Sequence, residues 1–187
     1  LVGLLREEDA TALHGYTSAQ GDLSVRRAIA EYIAATHGVK ADPDLIYMTC
    51  GAAASLTITL SALCEKGDEV ITFAPFFTEY RVFTETAGAK LVELASDPET
   101  FQIDFPLLEK AFTEKTAAVL VNSPNNPSGV VYSEETVKKL AALLARKSAE
   151  YGKTIYLVTD EPYRELVYGG VKVPYLTAYY KHTVVCY

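Results

Sequence analysis

The sequence has few cysteines, and their spacing excludes several kinds of site. Cys50, Cys64 and Cys186 are the three cysteines, and no C-x-x-C pair is present. An odd, scattered set argues against a disulfide framework and against a cysteine-based zinc site. It indicates reduced thiols in a cytoplasmic protein. We expect the thiol of Cys50 to pack in the core.

Long apolar runs and an excess of positive charge are also missing. No run approaches the roughly 18–20 residues that a membrane span needs, and no signal-peptide pattern opens the chain at Leu1. The sequence has 17 basic and 24 acidic residues, for a net charge of −7. An acidic surface argues against nucleic acid or an anionic membrane as the main partner, although a local site can bind a small anion.

Helical and strand-like segments alternate along the chain. The strand-like segments are short and apolar, and they cover residues 45–49, 69–73, 90–94, 117–121, 155–159 and 183–186. Helices are predicted from the N-cap Asp22 to Gly38, from Gly51 to about residue 64, and over 77–86, 107–112 and 133–151. This order predicts an α/β fold, a three-layer, doubly wound and mostly parallel sheet. With 187 residues, we expect residues 1–187 to form a single domain.

Ligands of such sheets bind beyond the carboxyl ends of the strands, so a site is expected among the residues that follow each strand. The segment 49–55, Thr-Cys-Gly-Ala-Ala-Ala-Ser, opens a helix. Its small residues let backbone N–H groups approach an anion at a helix amino end. A tight turn that packs a helix on a sheet explains the same residues. The segment is neither G-x-G-x-x-G nor a P-loop.

Aromatic residues follow the strand 69–73. Phe76, Phe77 and Tyr80 can form a stacking wall for a flat ligand, or they can simply belong to the core.

Polar residues follow two later strands. Residues 122–129, Asn-Ser-Pro-Asn-Asn-Pro-Ser-Gly, form a rigid loop whose amides can donate to a ligand oxygen, although ordinary turn chemistry is the alternative. Asp160, after the strand 155–159, can hold a cationic ring nitrogen, and Tyr163 can reach the same ligand. A cap or turn role for Asp160 is the alternative.

Taken together, these motifs resemble the class I/II aminotransferases, which are fold-type-I enzymes dependent on pyridoxal 5′-phosphate (PLP). The resemblance covers nearly the whole chain, with five motifs in order: Tyr16-x-x-x-x-Gly21, Gly51-Ala-Ala, Pro75-Phe-Phe-x-x-Tyr80, Asn122-x-Pro-x-Asn-Pro-Ser-Gly129 and Asp160-Glu-Pro-Tyr163. It implies the PLP-binding large domain of a homodimer with shared active sites.

The resemblance assigns the anionic and planar parts of the cofactor to five residues. The N–H groups of Ala52 and Ala53, after Gly51, would hold the phosphate. Phe77 would stack on the pyridine ring, where many relatives have tryptophan. Tyr16 would reach the phosphate of the neighbouring subunit's cofactor.

The resemblance assigns the polar atoms of the ring to three further residues. Asn126 and Tyr163 would bind the ring's phenolic oxygen O3′, and Asn126 would also touch the substrate carboxylate. Asp160 would pair with the pyridine nitrogen and keep it protonated, so that the ring accepts electrons from the substrate.

The catalytic lysine of the family is not found. It lies roughly 30–35 residues after the aspartate, which is past Tyr187, and Lys172 and Lys181 come too early. We therefore assign no catalytic residue and no metal ligand in this chain. Because the chain begins with Leu1 and ends in the apolar run 183–187, we expect a fragment that lacks the small domain and is inactive alone.

The predicted activity belongs to the longer parent protein. It is the transfer of an amino group from an amino acid, such as aspartate, to 2-oxoglutarate. A PLP-dependent carbon–sulfur lyase or cyclase of the same fold remains an alternative. So does a non-catalytic PLP-binding regulatory domain, and the amino-acid donor is left open.

Overall fold

The computed structural model describes residues 2–7 and 9–187, so Leu1, where the signal-peptide pattern was sought, lies outside it. By their contacts the described residues form two compact units, one that ends at Met48 and one that covers Thr49–Tyr187. Within the described ranges, no helix is long and apolar enough to cross a membrane.

The elements alternate as the sequence predicts. The helices are α1 (Val2–Glu7), α2 (Ala10–His14), α3 (Leu23–His37), α4 (Ala52–Leu63), α5 (Tyr80–Thr86), α6 (Phe105–Ala111) and α7 (Glu134–Tyr151). The strands are β1 (Glu69–Ala74), β2 (Lys90–Ala95), β3 (Thr116–Asn122), β4 (Tyr156–Asp160) and β5 (Thr183–Cys186). Short 3-10 helices cover Pro43–Leu45 and Leu176–Ala178.

In the first unit, helix α3 begins and ends at the predicted residues. The carboxylate of Asp22 accepts from the N–H groups of Ser24 at 2.8 Å and Val25 at 3.2 Å, which makes Asp22 the N-cap. Gly38 ends the helix with a φ of 68°, and its N–H donates to the carbonyl of Ala34. Both cap predictions are confirmed.

The strand predicted at residues 45–49 is wrong. Pro43 opens a 3-10 turn that is capped by the carboxylate of Asp42, and the chain after it pairs with no strand. The side chains of Leu45 and Tyr47 are exposed, so the apolar run has no buried face. The run resembles a strand in composition, but within the described part of the chain it joins no strand ladder. Cys50, just after it, is exposed and not in the core.

In the second unit the five strands form one parallel sheet in the order β2-β1-β3-β4-β5. In register, Asn122 at the end of β3 lies beside Asp160 at the end of β4. Asp160 in turn lies beside Cys186 at the end of β5. The carboxyl ends of three strands therefore meet at one edge.

Helices cover both faces of this sheet, which confirms the predicted three layers. One core cluster joins Val119 and Val121 of β3 to helices α6 and α7, and the other joins Ala118 and Leu120 to α4 and α5. All seven residues of β3 are buried, because each face of this central strand is covered. The helix predicted over 77–86 begins only at Tyr80, after a turn.

Helix α7 shows how local sequence sets an element. The Oγ of Ser133 accepts from the N–H of Thr136 at 3.0 Å, and Gly152 ends the helix with a φ of 64°. Three leucines of its apolar face, Leu140, Leu143 and Leu144, are buried against the sheet.

Removal of the Ser133 cap should weaken α7. Ser133→Ala leaves the N–H of Thr136 without its acceptor, so we expect the free energy of unfolding to fall by about 1 kcal/mol. Ser133→Asp supplies a carboxylate in the same place and should keep most of the stability. Urea unfolding followed by circular dichroism measures both, and an equal loss in the two variants would contradict the capping role.

Candidate active site

Hydrogen bonds fix the ends of β3 and β4 to each other. The Nδ2 of Asn122 donates to the carbonyl oxygen of Asp160 at 2.7 Å, and its Oδ1 accepts from the N–H of Asn126 at 2.5 Å. One buried side chain thus joins the strand end that carries Asp160 to the loop that carries Asn126. Asn122 opens the motif at 122–129, but no role was predicted for it. Its position at the end of a fully buried strand is the signal that could have identified it.

The carboxylate of Asp160 is buried at the end of β4 and is only partly hydrogen-bonded. It is 5% exposed, and its Oδ2 accepts from the Tyr80 hydroxyl at 2.5 Å. Its Oδ1 is buried and has no hydrogen-bond partner among the described residues. Burial raises the pKa of Asp160, the hydrogen bond from Tyr80 opposes that rise, and the charge of Glu161 adds to it. A cationic N–H donor at Oδ1 would satisfy the oxygen and stabilise the charge.

Tyr80 is the donor that orients this carboxylate. Its side chain is completely buried, and burial raises the pKa of the phenol, so it stays protonated and donates. The ring of Phe76 stacks on it at 6.2 Å between centroids, and the edge of Phe77 meets it at 5.8 Å. These aromatics form part of the core, and they also hold the hydroxyl on Asp160. The core interpretation is therefore confirmed, and stacking on a flat ligand stays a prediction.

Two further predicted residues lie together beside Asp160. The Nδ2 of Asn126 is 3.3 Å from the hydroxyl of Tyr163, and both residues are half-buried. The loop that carries Asn126 is held by Asn125, whose Oδ1 accepts from the N–H of Ser128 at 3.0 Å and from its hydroxyl at 2.7 Å. An amide and a phenol so placed can both donate to one ligand oxygen.

Helix α4 presents an uncapped amino end. Gly51 precedes it with a φ of 90°, and no side chain of the described residues caps it. The first helical bond runs from the N–H of Ser55 to the carbonyl of Gly51 at 3.1 Å. The N–H groups of Ala52 and Ala53 therefore have no acceptor within the helix, as an anion site requires. A residue other than glycine at position 51 would be strained at this φ.

This amino end lies near the strand ends. The side chains of Ser55 and Thr59 hydrogen-bond the thiol of Cys186, and the Thr59 contact is 3.7 Å long. Cys186 is the sheet neighbour of Asp160, and burial raises the pKa of its thiol. The helix terminus, the unpaired carboxylate oxygen and the amide–phenol pair thus share one edge of the sheet.

Tyr16 belongs to the first unit, and its side chain is completely exposed. Its role toward a neighbouring subunit stays a prediction. Lys172 and Lys181 are exposed as well.

The residues present fit PLP. A dianionic phosphate suits the helix amino end, a protonated ring nitrogen suits the free Oδ1 of Asp160, and a ring oxygen suits Asn126 and Tyr163. For the phosphate, the ring nitrogen and the ring oxygen alike, the site offers a protein donor or acceptor that matches.

Comparison with known proteins identifies the class that this fold and site define. The profile of the family "Aminotransferase class I and II" matches residues 4–187. The chain belongs to this family, whose enzymes depend on PLP.

Several similar proteins are named aminotransferases. A "Probable aspartate/prephenate aminotransferase" of Thermus aquaticus is 35% identical over 170 residues, which is 90% of this chain and 43% of the relative. A crystal structure of an aminotransferase from Eubacterium rectale superposes with a TM-score of 0.94 at 56% identity, covering 100% of this chain and 47% of that one. An aspartate aminotransferase of Thermus thermophilus gives 0.81 at 32% identity, covering 94% and 48%.

The chain therefore spans less than half the length of the proteins that it matches.

The Tyr80–Asp160 contact can be tested without any cofactor. Tyr80→Phe removes the donor that stabilises the charged carboxylate, so the pKa of Asp160 should rise further above its ordinary value. Carboxyl ¹³C chemical shifts followed against pH in the cofactor-free protein measure it. Phe76→Leu, which alters the ring packing on Tyr80 and keeps the hydroxyl, is the matched control. An equal pKa in Tyr80→Phe and in the unmodified protein would refute this electrostatic role.

Proposed function

We propose that the longer protein to which this chain belongs is a PLP-dependent aminotransferase that transfers an amino group from an amino acid such as aspartate to 2-oxoglutarate. The single observation that carries the proposal is the buried Oδ1 of Asp160, which has no partner among the described residues. Aspartate as the donor is supported by the names of the relatives from the two Thermus species.

Asp160 and Tyr80 provide the electrostatic part of the site. When bound, PLP supplies an electron sink for the electrons left when the substrate loses its α-proton. The carboxylate of Asp160 favours the proton on the ring nitrogen, because an opposite charge at hydrogen-bond distance stabilises the charged form. The Tyr80 hydroxyl occupies Oδ2, so Oδ1 is the oxygen left for that proton.

The remaining site residues bind and orient the cofactor and the substrate. The N–H groups of Ala52 and Ala53 hold the phosphate at the amino end of α4. Asn126 and Tyr163 donate to the ring oxygen, and Asn126 also binds the substrate carboxylate. Phe77 stacks on the ring and fixes its plane, so that the bond to be broken can align with the π system.

We also propose that the protein is a cytoplasmic homodimer of amino-acid metabolism. The exposed side chain of Tyr16 supports the dimer. A phenol that binds the phosphate in the neighbouring subunit must not be buried within its own subunit. The three free thiols, Cys50, Cys64 and Cys186, suit a reducing compartment.

Replacement of the site carboxylate should remove most of the activity. In the full-length protein, Asp160→Asn keeps an acceptor for Tyr80 and loses the charge, so we expect kcat to fall by roughly two orders of magnitude or more. Coupled assays of aspartate with 2-oxoglutarate measure the rate. Circular dichroism checks that the fold persists.

The matched control is Glu109→Gln, which makes the same chemical change in an exposed ion pair with Arg146. It should leave the rate unchanged. A wild-type rate in Asp160→Asn would contradict the proposed electron-sink role. Release of a 2-oxo acid without any need for an amino acceptor would instead indicate the lyase alternative.

The chain of residues 1–187 alone should not transaminate. The family lysine lies beyond Tyr187 by the spacing given above, so we expect no turnover above background by residues 1–187. The full-length protein, assayed beside it with aspartate and 2-oxoglutarate, is the positive control. Measurable glutamate formation by the short chain would overturn this expectation.

A further inference from the structure

Glu161, next to Asp160, is a completely buried carboxylate with no place in the proposed chemistry. Glu161 directly follows β4, and its side chain lies on the side of Thr159. Its Oε1 accepts from the hydroxyl of Thr159 at 2.8 Å. Its N–H donates to the carbonyl of Cys186 at 2.8 Å. The residue is thus bound through both its backbone and its side chain.

Arg164 completes this arrangement. Its Nε donates to the Oε2 of Glu161 at 2.5 Å, and its backbone N–H donates to the Glu161 carbonyl at 3.2 Å. Its two terminal nitrogens donate to the carbonyls of Val173 at 3.1 Å and Pro174 at 3.0 Å. The guanidinium lies 4.9 Å from the ring centroid of Tyr175. One planar cation therefore closes the base of the loop at residues 165–172.

Glu161 and Arg164 each follow directly after a residue of the proposed site, Asp160 and Tyr163. Asp160 precedes Glu161, and Tyr163 precedes Arg164, so the turn at 160–164 alternates between residues bound behind the sheet edge and residues of the site. Glu161 fixes the chain directly after Asp160. Arg164 fixes it directly after Tyr163.

We propose that Glu161 and Arg164 are positioning residues, whose ion pair holds the turn at 160–164 so that Asp160 and Tyr163 reach the same ligand. This inference rests on the proposed function, because it names what orients two residues of that site. A buried ion pair whose two charged groups also hydrogen-bond further partners has one strongly preferred geometry. A planar fork that binds a carboxylate and two carbonyls at once cannot be replaced by a lysine.

The test uses the full-length protein with Glu161→Gln and Arg164→Lys. Glu161→Gln keeps the shape and removes the charge, whereas Arg164→Lys keeps the charge and removes the fork. The readouts are the thermal midpoint of the cofactor-free protein, the Kd for PLP by fluorescence titration, and kcat with KM. Because small displacements of site groups cost up to about a hundredfold, we expect Kd to rise at least about tenfold and kcat to fall by a similar factor.

A destabilised control separates positioning from general stability. Leu108→Ala removes a fully buried side chain of α6, which packs on the distant edge strand β2. It should lower the thermal midpoint at least as much, yet leave the Kd for PLP within about twofold.

The outcomes separate the two proposals. Kd and kcat within about twofold of wild type in both variants would overturn the positioning role, and so would an equal loss of affinity in Leu108→Ala. If Glu161→Gln does not fold, Arg164→Lys decides. If neither folds, the pair serves folding alone and the inference fails. If the unmodified protein itself binds no PLP, it is the proposed function that fails.

Discussion

The constraint on which the site depends is the burial of one carboxylate at the end of a parallel strand. Asp160 is nearly inaccessible to water, and one of its oxygens has a partner while the other has none among the described residues. A buried charge is unfavourable unless another charge or several donors meet it. Among the described residues a single phenol, Tyr80, meets this charge.

Parallel sheet geometry brings the other groups to that carboxylate. In a parallel sheet the carboxyl ends of neighbouring strands lie at one edge, and the amino ends of the following helices return to the same edge. The loop after β3 carries Asn126, the turn after β4 carries Tyr163, and α4 brings its uncapped amino end. A chain of net charge −7 can bind a dianion at this point, because oriented N–H groups act over a few ångströms and the distant surface charges are screened.

The proposed site divides into residues that would touch a ligand and residues that hold those in place. Asn122 joins two strand ends through a single amide. Tyr80 of helix α5 orients the carboxylate of Asp160 at the end of β4. Glu161 and Arg164 form a third such group behind the turn. Such groups are buried and hydrogen-bonded to their neighbours, which suits residues whose task is to stay in place.

Much of the fold follows from the sequence by itself. Apolar runs at 69–73, 117–121 and 155–159 alternate with helical segments, and this order defines a parallel sheet with covered faces. Local caps such as Asp22 and Ser133 are equally readable, because their partners lie within three residues. Five motifs in order, from Tyr16-x-x-x-x-Gly21 to Asp160-Glu-Pro-Tyr163, carried the resemblance to the family.

Burial and long-range pairing were decided by the tertiary structure. The run at 45–49 has the composition of a strand, but its side chains are exposed, and local sequence does not determine whether a sheet lies nearby. Tyr80 and Asp160 are 80 positions apart, and only the order β2-β1-β3-β4-β5 with α5 packed on it joins them. The unpaired oxygen of Asp160 is likewise a property of three-dimensional packing. A sequence records which groups are available, whereas the folded chain decides which of them remain unsatisfied.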